Sequence, residues 1–94
     1  MRAVALVLLL AGCATPSPRF IGAETTEVRV GRHDFTLYRK GRDVEIIRHG
    51  LGSPAERARL LTLMPAVIEA QTQCKVLPSS LNGDAGVLRA RLRC

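Results

Sequence analysis

Reactive side chains are sparse in this chain. Three cysteines, two histidines and a few serines stand among 14 Lys and Arg and 8 Asp and Glu. His33 next to Asp34 is the one adjacent pairing of an imidazole with a carboxylate. General acid–base chemistry needs both groups aimed at a single reacting atom, and neighbours in a turn seldom achieve that. Ser53, Ser79 and Ser80 offer hydroxyls, yet no nucleophile motif selects one of them to join His33 or His49 in a hydrolase triad. The stretch Asn82-Gly83-Asp84-Ala85-Gly86 resembles a phosphate cradle only in its glycines. It lacks the Lys-Ser/Thr ending, and Asp84 repels an anion, so it reads as a hairpin turn. Cys74 and Cys94 have no histidine constellation to make a zinc site with them and form no Cys-x-x-Cys redox motif. The expectation is therefore no catalytic residue, no metal ligand and no cofactor.

Arginine supplies the one feature with functional weight. Arg89, Arg91 and Arg93 alternate with Leu88, Ala90 and Leu92, so a strand here carries three guanidiniums on one face. With Lys75 alongside, that row is an anion-binding candidate for phosphate or carboxylate groups. A solvated strand face, or an edge kept from aggregating by its charge, is the alternative. The net charge of +6 raises the question of nucleic acid, but no Trp, one Tyr and two Phe leave few platforms for stacking bases.

At the start of the chain, Arg2 precedes an apolar run from Ala3 to Leu10, and small residues lead to Cys13. Charge, apolar run and small-residue site are the parts of a secretory signal. The run falls far short of the roughly 18 apolar residues that span a bilayer. Leu10-Ala11-Gly12-Cys13 resembles the lipobox of bacterial lipoproteins. The resemblance covers residues 1–13 only and implies cleavage before Cys13, a diacylglyceryl group on its sulfur, and palmitate-class N-acylation in many Gram-negative species. It implies a cell-envelope protein anchored by lipid and facing the periplasm. Ala14, standing where Asp favours inner-membrane retention, points to the outer membrane if the host is Gram-negative. An ordinary signal peptide with an incidental cysteine, or a buried N-terminal helix, are the alternatives.

With Cys13 given to lipid, Cys74 and Cys94 remain as an even pair in an oxidising compartment, where a structural disulfide is expected. Residues 1–12 are then signal peptide, 13–19 the acylated cysteine and a Pro-containing tether, and 20–94 one small domain. Phe20-Ile21 is the first apolar step at which the chain can dock.

The elements that must position these groups follow from periodicity. Residues 25–30 and 35–40 alternate, with Gly31-Arg32-His33-Asp34 as turn chemistry between them, which sets Val30 opposite Phe35 and Val28 opposite Leu37. Gly41-Arg42 suits a two-residue turn that sets Leu37 across from Ile46. Ser53-Pro54-Ala55-Glu56 carries an N-cap, a first-turn proline and a capping-box acid. Leu60, Leu61, Met64, Val67, Ile68 and Cys74 then recur at helical spacing, with Arg57, Arg59, Glu69 and Gln73 on the wet side. Pro65 predicts a kink, or two short helices meeting at Met64. A loop at residues 82–86 sets Leu81 opposite Val87, Val76 opposite Leu92 and Cys74 opposite Cys94, with Pro78 and Ser79-Ser80 weakening the first arm. The fold expected is α+β: a small antiparallel sheet, a three-strand meander plus a C-terminal strand or hairpin, packed on one kinked helix. The function expected is a non-enzymatic structural or protein-interaction module held at the membrane. The alternative is a binder of anionic envelope lipid or lipopolysaccharide through Arg89, Arg91 and Arg93.

Overall fold

Alternating apolar residues build three strands in succession, β1 (Glu24–Val30), β2 (His33–Lys40) and β3 (Asp43–His49). A helix α1 (Pro54–Thr72), two short strands β4 (Lys75–Val76) and β5 (Asn82–Gly83), and β6 (Val87–Arg93) complete the chain. All strand pairs are antiparallel in the order β1-β2-β3-β6-β4, and β5 also pairs with β6. This computed structural model describes residues 18–50 and 53–94. The expected signal peptide, residues 1–12, and Cys13 lie outside the described residues. Among the described residues, no helix is long and apolar enough to cross a membrane.

The fold is the α+β arrangement the sequence predicts, with the registers of the first and last hairpins corrected. Val30 pairs with His33, Val28 with Phe35 and Thr26 with Leu37. The turn is therefore the two residues Gly31-Arg32, and His33 and Asp34 belong to β2. Gly31 makes this possible at φ +60°, a left-handed value open to glycine at little cost. The shift is by two residues, so every side chain keeps its face. The second turn is as expected: Lys40 pairs with Asp43 across Gly41, which lies at φ +63°, and Leu37 faces Ile46.

Helix α1 starts at the expected capping box. Ser53 Oγ accepts from the Glu56 backbone N–H at 3.2 Å, and Glu56 Oε1 accepts from the Ser53 N–H at 3.4 Å. Pro65 does not divide it, for the helix runs unbroken from Pro54 to Thr72. Leu61, whose carbonyl loses its helical donor to that proline, is 46% exposed, so water can take the bond. That exposure corrects the expected apolar face. Leu61 stands about 100° round the helix from Leu60, while Leu63, on the opposite margin, packs beside Val28 and Val30.

Leu60, Met64, Val67 and Ile68 press against Phe35, Leu37, Val44, Ile46, Leu88, Ala90 and Leu92, the helix-facing side of the sheet. At the helix end Gln73 takes a left-handed φ of 61° and donates its N–H to the Glu69 carbonyl at 2.9 Å, which turns the chain into β4. Val76 pairs with Leu92 as expected, but Leu81 does not face Val87. Asn82 pairs with Arg89 and Gly83 with Leu88, and the slack is taken up by a 3-10 turn at Pro78–Ser80. Proline has no N–H for the ladder, so the first arm breaks there.

Candidate functional site

The arginine row lies on the side of the sheet away from the helix, and neighbouring strands have met it with carboxylates. Arg89 Nε is 3.5 Å from Glu45 Oε1, and Arg91 Nε is 3.5 Å from Asp43 Oδ1. Arg19, expected in the tether, reaches the same Asp43 oxygen at 3.4 Å, from a 3-10 turn formed with Pro18 and Phe20. Arg19, Asp43, Arg89 and Arg91, with Ser80 and Asn82, surround a shallow cavity of about 170 Å³. Lys75 stands across from Arg93, with Nζ 4.0 Å from Glu69. Among the described residues Arg93 alone in the row has no carboxylate at ion-pair distance. An incoming anion thus meets a row already half neutralised. Sequence alternation could not reveal this, because Asp43 and Glu45 come from β3.

The same face holds a polar cluster that sequence reasoning missed. Thr36 Oγ1 lies 3.1 Å from Glu27 Oε2 and 2.5 Å from His49 Nε2, and Thr36 is 3% exposed. A carboxylate only accepts, so the hydroxyl donates to Glu27 and His49 donates to the hydroxyl through Nε2–H. In a nucleophilic arrangement the imidazole accepts from the hydroxyl instead. The available signal was parity: Glu27 pairs with Thr36, and His49 pairs with Asp34 two residues away on the same face. Beside them the Tyr38 phenol is raised above its ordinary value, first by burial, then by the charges of Glu27 and Glu45.

His33 and Asp34 do not converge. As consecutive strand residues they point to opposite faces. His33 lies 6.3 Å from the Phe35 ring, beside a cleft of about 350 Å³ that includes Arg32, Glu56 and Arg59, whereas Asp34 pairs with Arg29 at 3.7 Å on the other face. The Glu56 carboxyl is lowered, chiefly by the Ser53 backbone N–H and then by Arg32 and His33. The chain turns at Asp84 to Gly86, a shorter loop than the expected 82–86, because Asn82 and Gly83 are taken into β5. Asp84 Oδ1 accepts from the Gly86 and Val87 N–H groups at 2.8 and 3.0 Å, which holds its carboxyl below the ordinary range.

Cys74 and Cys94 form the expected disulfide, with Cα atoms 4.4 Å apart. Arg39 Nη2 sits 3.6 Å from the Cys94 sulfur and 3.9 Å from that of Cys74.

The remaining feature is the open edge of the sheet. β1 pairs with β2 on one side, and no strand among the described residues pairs with its other side. Seven residues long, it contains no proline, and each of its charged side chains, Glu24 apart, alternates onto the face away from the helix. Between β1 and α1 runs an apolar groove of about 220 Å³ lined by Val28, Val30, Leu63, Ala66, Val67 and Ala70. Comparison with protein-family models, with curated proteins and with solved structures finds no match.

Proposed function

We propose that this chain is a lipid-anchored interaction module of the bacterial cell envelope. Acyl chains on Cys13 hold it, the folded part faces the periplasm, and it works by contact with a protein and not by catalysis. The outer membrane is favoured over the inner because Ala14 follows the cysteine. The observation that carries the reading is the β1 edge with its apolar groove, which offers unpaired main-chain donors and acceptors next to aliphatic side chains. Those are the two ingredients of recognition by strand addition. The ion pairs within the arginine row favour this surface over an anion-binding one.

Intact mass of the protein taken from its own membranes tests the anchor. The expected mass lacks residues 1–12, gains acyl chains, and is two protons lighter for the disulfide. Crosslinking in intact envelopes tests the module, with a protein partner expected on β1. An unprocessed chain free in the cytosol with reduced thiols overturns the reading.

A further inference from the structure

We propose that β1 docks against β1 of a second copy of this chain, antiparallel, with Val28 opposite Val28 and Glu27 opposite Arg29. This deepens the interaction-module reading and rests on it for the choice of surface.

Main-chain geometry limits the registers. The two-residue turn at Gly31-Arg32 closes on the pair Val30 and His33, and such a turn ends in a hydrogen-bonded pair. Because hydrogen-bonded and non-bonded pairs alternate along an antiparallel ladder, Val30, Val28 and Thr26 direct their N–H and C=O toward β2. Thr25, Glu27 and Arg29 direct theirs to the open edge. A second β1 must therefore bond through the same three residues.

Charge selects among the registers left. Centring the two-fold axis on Glu27 sets carboxylate against carboxylate, and centring it on Arg29 sets guanidinium against guanidinium. Centring it on Val28 places Glu27 across from Arg29 twice, by symmetry, and Val30 across from Thr26 twice. Those charged residues share the face away from the helix, while Val28 and Val30 already pack on the core side with Leu63. One register thus joins opposite charges on the outer face and extends the apolar layer on the inner one. A continuous sheet across both copies removes the edge that would otherwise invite aggregation.

The processed, acylated chain extracted from its membranes in detergent provides the test. In the proposed register Val28 meets its own copy at a non-hydrogen-bonded position, where Cα atoms lie about 4.5 Å apart, within reach of a disulfide. Val28→Cys is expected to give a covalent dimer under mild oxidation, and Thr26→Cys, facing Val30, only a trace, with the unsubstituted chain as control for its own cysteines. In sedimentation, Glu27→Arg is expected to weaken self-association by about tenfold, since it creates two like-charge pairs. Glu27→Arg combined with Arg29→Glu is expected to restore it, which a folding defect would not allow. A chain that remains monomeric at every concentration, or equal crosslinking from positions 26 and 28, overturns the dimer. In envelopes, Val28→Cys captured by a different protein overturns the dimer and keeps the module, whereas no capture at all removes both.

Discussion

Nε of Arg89 lies 3.5 Å from a Glu45 carboxylate whose side chain is only 2% exposed, so this arginine serves as the counter-ion of a buried acid. Removing one partner of a buried ion pair costs up to about 3–5 kcal/mol. Arg89 is itself 34% exposed, and water that enters in its place lowers the cost. Arg89→Ala is expected to destabilise the fold by about 2 kcal/mol. Arg91→Ala should cost less than about 1 kcal/mol, since Arg91 is 63% exposed and Arg19 stays beside Asp43. Urea midpoints compare the two directly. Equal effects would mean that Arg89 is a surface charge like its neighbours in the row.

The disulfide closes a segment of 20 residues between the end of α1 and the end of β6. By restricting the unfolded chain, a closure of that length stabilises by about 3 kcal/mol. The double variant Cys74→Ala/Cys94→Ala should lose that much. The unsubstituted protein in thiol reductant should unfold at nearly the same denaturant concentration as the variant. Full retention of stability by the variant would show that strand pairing alone holds the terminus.

How much of this was legible in the sequence depends on whether a feature is local. The α1 cap was readable because Ser53, Pro54 and Glu56 act within one turn. Strand faces were readable from alternation, but alternation has period two and cannot distinguish registers that differ by two. The first hairpin therefore slipped from Val30/Phe35 to Val30/His33 without disturbing the core. Leu81 was misplaced for a different reason, since the Pro78–Ser80 turn absorbs residues that a regular hairpin would pair. Cys74 opposite Cys94 survived because the ladder beside it, Val76 with Leu92, is undisturbed. The arginine row was visible but its counter-ions were not. The same holds for Glu27, Thr36 and His49, which come from three strands and make a cluster only once the sheet is assembled.

Asp84 closes the β5–β6 loop by accepting two backbone N–H bonds, and its carboxyl is lowered from 3.8 mainly by those from Val87 and Gly86. A carboxyl lowered by folding contributes stability above its unfolded value, and that contribution is lost as pH falls through the folded value. Asp84→Asn retains an accepting oxygen for both donors but no longer titrates. Its stability should decline less steeply in the acid range below about pH 4 than that of the unsubstituted protein. Comparing the two chains subtracts the similar acid dependence of Glu56, which the variant leaves in place. Superimposable acid profiles would show that the loop does not sense the charge on Asp84.

Tyr38 is the single tyrosine, so the near-ultraviolet absorbance of phenolate reports this site alone. Burial raises its ionisation above 10.0, with added repulsion from Glu27 and then Glu45. The folded state thus keeps a proton that the unfolded chain has begun to release. Stability present below the unfolded value is lost as pH rises through the folded one. Glu27→Gln removes the larger of the two repulsions while leaving an oxygen to accept from Thr36. The phenol midpoint should fall toward 10.0 without reaching it, because the leading cause, burial, is unchanged. The alkaline loss of stability should become shallower in step. A midpoint that stays in place when Glu27 is neutralised would mean that the outer-face cluster does not bring Glu27 close enough to act on Tyr38, and the geometry assigned to that face would fail with it.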